Sequence, residues 1–207
     1  MDWLNRLERK MGRHYIRNLM LYLCIAMAGI YVLEWIPVLR SPVALLMFDR
    51  ALIFQGQIWR VITFIFLPPS GNLIFVALHL YFFWFIGTAL ENQWGGRRFN
   101  LYYALGILCN ILAGFLTGYA TNYYLNMTLI LAFAVMYSEM EVSLFFVLPV
   151  KMKWLGLIDG AYLVYQFITT PIWSYRVGML LSLAPFLLFF GRQAWRLLRT
   201  DIRRLFR

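Results

Sequence analysis

Charge is scarce in this sequence, and what there is leans one way. Only 14% of the 207 residues are charged, 9 acidic against 19 basic, while 62% are hydrophobic. Mean hydropathy is +0.68. A soluble domain carries about 25% charged residues, so an ordinary water-facing surface is excluded and the chain reads as an integral membrane protein. Histidine is equally rare, with only His14 and His79. No second histidine or carboxylate lies near His79, so a histidine-based metal site is not expected. Cys24 and Cys109 are the only cysteines, both inside apolar runs, where small packing residues are a better reading than a disulfide or metal pair. Polar linkers, low-complexity tracts and internal repeats are missing, which leaves one compact unit. No A-x-A-like cleavage site follows the first apolar run, so that run reads as a retained helix. No metal and no cofactor are expected.

What is present is apolar length. Six segments can be drawn: Leu19–Ile36, Leu73–Leu90, Phe99–Ala120, Tyr123–Tyr137, Trp154–Thr170 and Pro171–Gly191. A span needs about 20 residues. The fourth is short, which neighbours or a thinned bilayer can accommodate. Placed on six spans, fifteen of the nineteen Lys and Arg fall on one side, leaving Arg40, Arg50, Arg60 and Arg176 on the other. Positive charge marks the cytoplasmic face, so both termini are expected there.

The ends differ from the middle. Residues 1–17 set Trp3, Leu7 and Met11 against Arg6, Arg9, Lys10 and Arg13. Residues 192–207 set Trp195, Leu198, Ile202 and Leu205 against Arg192, Arg196, Arg199 and Arg203. Both read as amphipathic interfacial helices on anionic headgroups, flanking a bundle over 18–191. The net charge of +10 is explained this way without nucleic acid as a partner.

Polar residues inside apolar spans are costly and therefore informative. Glu91 either pairs with Arg97 or Arg98 or caps a turn. Asp159 either reaches the headgroups, pairs with Lys153, or has a chemical role. Asn110 suits an interhelical hydrogen bond. Gly106, Ala113, Gly114 and Gly118 in the third span, and Gly178 with Ser182 in the sixth, offer small-xxx-small contacts.

One stretch fits no simple class. "FQGQIWRVITFIFLPPSG" (54–71) holds a run from Val61 to Pro69 that is too short to span and too apolar for a solvated loop. Its Gly56-Gln57 followed by Trp59-Arg60 resembles the loop after the first helix of the rhomboid superfamily. Gly87-x-x-x-Glu91-x-x-x-Gly95 before Arg98-Phe99 resembles that family's turn between spans two and three. Leu148-Pro149-Val150-Lys151-x-Lys153-Trp154 is similar to the junction before span five, and Gly178-x-x-x-Ser182 resembles the span-six motif with its second glycine relaxed to serine. The resemblance covers 54–191. It implies an all-α, rhomboid-like six-transmembrane bundle with a membrane-embedded flap at Val61–Pro69, and with Trp59 and Arg60 near the outer headgroups.

The family's proteases use a serine opening span four and a histidine in span six. Here the nucleophile position falls within Tyr123–Met127, at Asn126, and the histidine position is Tyr175. The oxyanion-stabilising His-x-x-x-Asn of span two maps onto Phe75-x-x-x-His79. Catalytic residues are therefore absent, and the chain resembles rhomboid pseudoproteases such as the Derlins. The resemblance implies binding of transmembrane client proteins, with His79, Asn110 and Tyr175 as contact candidates. It also implies residence in a membrane; a bacterial plasma membrane suits so compact a chain better than the endoplasmic reticulum. The rivals are a hydrolase using Thr128 or Ser174 with Asp159 or His79, a small transporter, and a structural subunit of a complex.

Overall fold

The computed structural model describes residues 15–36, 41–144 and 148–205. The expected interfacial helix over 1–17 lies outside these residues except for its last three, as does Arg40. The chain is predominantly helical. Helix α1 (Leu19–Leu33) is followed by three short helices, α2 (Pro42–Leu46), α3 (Arg50–Phe54) and α4 (Arg60–Thr63), and by a 3-10 turn at Phe64–Phe66. Then come α5 (Leu73–Trp94), α6 (Gly96–Thr117), α7 (Tyr123–Met136), α8 (Met152–Thr169) and α9 (Trp173–Leu205). A helix thus stands at each of the six apolar segments. Three are long and apolar enough to cross a membrane: α5, α6 and the Trp173–Arg196 part of α9. At about 1.5 Å per residue, the 22 residues of α5 reach about 33 Å. The 15 of α1 and 14 of α7 reach only about 22 and 21 Å, less than a hydrocarbon core of about 30 Å.

Glycine and side-chain caps set the helix ends. Gly95 (φ 82°) breaks α5 from α6, and Gly118 (φ 92°) ends α6; both angles favour glycine. The Asn72 carboxamide oxygen accepts from Phe75 N at 2.9 Å to open α5, and Asp49 accepts from Ala51 N at 2.8 Å to open α3. Glu91 accepts from the backbone N–H of Asn18 at 2.9 Å, capping the start of α1. Of the two roles open to Glu91, the structure thus shows the turn cap.

Packing follows the small residues. Helix α9 lies on α6 and α7, α8 on α7, and α1 on α5. A Cβ at Gly87 would meet Met20 Cγ at 1.9 Å, so α1 sits directly on the α5 backbone there. Gly106 and Gly114 admit Leu125 and Phe48 in the same way. Gly178 has nothing within 4 Å of its notional Cβ. The close approach expected at Gly178 is therefore absent, and open space lies there instead. Fully buried Phe99, Tyr102, Leu125, Leu129 and Phe133 form the centre, and Trp94 stacks on Phe190 at 4.9 Å.

Two expectations need correction. The chain is not all-α: Glu141–Leu144 (β1) and Leu148–Lys151 (β2) form an antiparallel hairpin with Glu141 opposite Lys151. The run "EVSLFFVLPVK" is rich in β-branched and aromatic residues, which suits a strand pair better than a coil. Second, the sixth segment and the basic tail are one helix. α9 runs 33 residues through Pro185 and Gly191, so 192–205 continues the helix of the apolar part. Trp195 is exposed. Leu198, Ile202 and Leu205 lie outside the described side chains.

Beside the hairpin, Glu139 accepts hydrogen bonds from Lys153 Nζ at 2.9 Å and Lys151 Nζ at 3.0 Å. The bond from Lys153, then that from Lys151, holds its carboxyl down at about 2 against an ordinary 4.5. A value depressed on folding contributes stability above the unfolded value and loses it as pH falls through the folded one. The carboxylate is exposed, so screening keeps the effect small. Amide protection of the hairpin in hydrogen exchange is expected to be full above the usual glutamate range, to decline as pH falls below it, and to have lost this contribution near pH about 2. Glu139→Gln should lower it at neutral pH already.

Candidate functional site

A cleft of about 300 Å³ opens among the C-terminal end of α6, the start of α7, the end of α8 and the first half of α9. Its floor is polar. Ser182 is 1% and Asn110 2% exposed. The Asn110 amide donates to Gly106 O at 2.8 Å, and its oxygen lies 2.8 Å from Ser182 Oγ. Ser182 Oγ is also 2.8 Å from Gly178 O, and its single proton serves one acceptor at a time. The Asn110–Ser182 bond ties α6 to α9, the interhelical role expected of Asn110. Ser182 thus acts as a hydrogen-bonding residue and not only as a small one.

The walls are hydroxyls and amides. Tyr124 donates to Gln166 Oε1 at 3.2 Å, and Gln166 Nε2 donates to Tyr162 Oη at 2.7 Å, linking α7 to α8. Tyr175, 41% exposed, meets Tyr119 edge to face at 6.1 Å at the mouth. Ser174 and Thr121 complete the rim. No lining residue is charged. Nearby Arg176 donates to Thr170 O at 2.8 Å and Ile168 O at 3.1 Å, and lies 5.7 Å over the Phe167 ring.

The expected contact residues divide. Asn110 and Tyr175 share the cleft, while His79 does not line it. His79 sits half-buried on α5 with its ring 6.3 Å from Phe75. A sequence places a residue on a helix but does not say which way the helix is rotated. Asn126 does not line the cleft either. Thr128 is fully buried and donates to Leu125 O at 2.7 Å, so neither Thr128 nor Ser174 shows a hydrogen bond to Asp159 or His79 among the described residues. Asp159 does not find Lys153, whose ammonium goes to Glu139.

The Gln57-x-Trp59-Arg60 stretch forms a clamp. Arg60 is 4% exposed. Gln57 Oε1 accepts from Arg60 Nε at 2.7 Å, aiming the guanidinium so that Nη1 donates to Ala44 O at 2.8 Å and Met47 O at 2.7 Å. Trp59 Nε1 donates to Leu45 O at 3.2 Å, and Thr63 Oγ1 to Leu46 O at 3.0 Å. Four successive carbonyls at the C-terminal end of α2 are capped by one short helix. Arg60 is buried within the protein, its guanidinium taken up by those carbonyls and Gln57. Trp59 stays half-exposed.

Asn122 is the residue that sequence reasoning missed. It is 6% exposed, and its amide donates to Ile65 O at 3.1 Å and Leu67 O at 2.9 Å. These bonds satisfy the backbone of the apolar stretch and fix it against the start of α7, next to the cleft. Its only sequence signal was an Asn just before a helix, which reads as a cap. Asn122→Ala is expected to cost about 1–3 kcal/mol and to speed amide exchange at Phe64–Leu67.

No protein-family model matches the chain, and no curated protein matches it.

Proposed function

We propose that the chain is a rhomboid-like membrane protein of six spans, without proteolytic activity, that binds transmembrane segments of client membrane proteins for retention, quality control or trafficking. The observation that carries this reading is the uncharged polar cleft set in an otherwise apolar bundle. Its Tyr, Asn, Gln, Ser and Thr side chains both donate and accept. A helix with a polar residue in its span exchanges an unsatisfied group in lipid for such partners.

Three further features support it. The six apolar segments coincide with helices, and the charge bias across them supports cytoplasmic termini; the membrane in this reading is a bacterial plasma membrane. The 54–71 stretch turns Phe64, Ile65 and Leu67 inward and leaves Phe54, Ile58 and Ile62 exposed, as an embedded flap requires. Short α7 would thin the bilayer beside the cleft, and short α1 would do so against α5. The anionic headgroups are the second partner, through the basic ends.

The test is photo-crosslinking in membranes from a probe at Tyr175, with Tyr22, exposed on α1, as the control. Intact transmembrane proteins captured at Tyr175 and not at Tyr22 are expected. Fragments sharing one cut site would make the protein a protease, and one stoichiometric product would make it a complex subunit. Lipid adducts alone at both positions would end the client reading.

A further inference from the structure

The cleft among α6, α7, α8 and α9 holds more hydrogen-bonding capacity than one client side chain can use. Ten of its thirteen lining residues carry a hydroxyl or a carboxamide, and none is charged. Much of that capacity is unused. The hydroxyls of Tyr119, Ser174 and Tyr175 have no hydrogen-bond partner among the described residues. Asn110 gives one amide hydrogen of two to Gly106 O, Gln166 gives one of two to Tyr162 Oη, and Ser182 Oγ accepts none. Spare donors and acceptors therefore line one space from α6, α8, α9 and the α6–α7 turn.

Size and charge narrow the occupant. The cleft's volume of about 300 Å³ is less than one helical turn, which at a pitch of about 5.4 Å and a width of about 10 Å fills about 400 Å³. The body of a helix stays outside. An anion finds no cation on the lining. Arg176 donates to the Thr170 and Ile168 carbonyls, and Arg50 on α3 donates to Phe115 O. A quaternary ammonium could face the tyrosine rings, but it neither donates nor accepts, so the polar lining would lose water without replacement. An apolar group fails for the same reason. The match is a group without charge that donates and accepts at several points around its edge. Its C–H faces would rest on Tyr119 and Tyr175, whose rings meet edge to face at 6.1 Å. That is the surface of a sugar ring.

We propose that the cleft binds a neutral polyhydroxylated group of monosaccharide size, a free sugar or the headgroup of a glycolipid. The group enters beside Ser174 and Tyr175 at the start of α9, from the membrane face opposite the arginine-rich end of that helix. A site whose polar groups pair with hydroxyls rejects analogues that lack them. The sugar site shares the cleft with the client reading but needs only that α9 crosses the membrane. Gly178 offers a way to close it. Nothing lies within 4 Å of its notional Cβ, so a leucine there meets no clash, suits a helix better than glycine, and fills the cleft.

Saturation-transfer NMR tests the site, using the full chain in lipid nanodiscs prepared without glycoside detergent. The probes are the methyl glycosides of glucose, galactose and N-acetylglucosamine. Ring C–H protons of at least one are expected to receive saturation from wild-type protein and to lose it in Gly178→Leu, which should elute and melt as wild type does. Tyr175→Leu, at the exposed rim, should weaken the same signal. Choline and glucose 6-phosphate should show no transfer that Gly178→Leu removes. A lipid source is read by native mass spectrometry from discs containing glucosyl-diacylglycerol and phosphatidylglycerol. Glycolipid retained by wild type and lost from Gly178→Leu, with no transfer to the methyl glycosides, assigns the site to a headgroup. Transfer to no glycoside together with no retained glycolipid overturns the proposal. So does a signal unchanged in both folded variants, or charged probes that bind as well as the glycosides. No guest helix is present, so failure here leaves client capture standing, and failed client capture leaves the sugar signal standing.

Discussion

Replacing Arg60 by alanine is expected to destabilise the protein by about 2–5 kcal/mol, the range for removing a buried, fully hydrogen-bonded charge and stranding its partners. The loss has two parts. The Ala44 and Met47 carbonyls and the Gln57 amide oxygen lose charge-assisted bonds of 2.7–2.8 Å. The end of α2 then has two fewer caps beside the stretch that Asn122 holds. Arg60→Lys should recover only part, because an ammonium lacks the planar fork that reaches the two carbonyls and Gln57 together. Unfolding in bicelles measures both. A change within about 0.5 kcal/mol, as at an ordinary surface site, would mean the clamp contributes nothing. Gln57→Ala should cost less than Arg60→Ala, since it removes the aim and leaves the donors.

The second large effect is expected from one methyl group. A Cβ at Gly156 would lie 2.3 Å from Ala134 Cβ, where carbon atoms need about 3.5–4.0 Å. Alanine has no rotamer to swing aside, so α7 and α8 must part. Overpacking of this kind costs about 1–3 kcal/mol. Gly106→Ala makes an instructive comparison: its Cβ would meet Leu125 Cδ1 at 2.2 Å, the end of a side chain that can turn. Gly156→Ala should therefore be the more damaging of the two in the same unfolding assay. Adding Ala134→Gly should restore most of the loss. Failure of that double variant to recover would show that the seam is not limited by this contact. Gly156→Ala should also loosen the Tyr124–Gln166 bond, and with it one wall of the cleft.

The places where sequence reading succeeded share a physical cause. Helix positions along α5 to α8 were legible because uninterrupted apolar length needs no partner to be recognised. Gly95 was legible as part of a turn through the motif that carries it, whereas Gly118, read as a packing glycine inside the third span, instead ends α6 at φ 92°. The hairpin was not legible, since "EVSLFFVLPVK" between two apolar segments, with lysines only at its C-terminal end, reads equally as an interhelical loop. The unbroken α9 escaped because the change from apolar to basic composition at Arg192 marks a change of surroundings, not of backbone.

The cleft divides in the same way. Asn110 could be picked out as a polar group in an apolar span, and it does form an interhelical bond. Its partner Ser182 was visible only as a small residue, and Gly178 proved to border open space. His79 looked equally promising by composition, yet its side of α5 does not line the cleft; rotation about a helix axis is fixed by packing partners that a lone sequence does not name. Arg60 and Asn122 illustrate the converse. Their importance rests on backbone carbonyls of distant residues, and carbonyls leave no trace in a sequence.

The central claim, that the uncharged cleft takes up polar transmembrane segments, is tested most directly with a matched pair of guest helices. A leucine-rich span and the same span with one central asparagine are reconstituted with protein carrying the photo-crosslinker at Tyr175. The account expects capture of the asparagine guest well above the all-leucine guest, and loss of that preference when Ser182 is replaced by leucine. Equal capture of both guests, unchanged by Ser182→Leu, would contradict it.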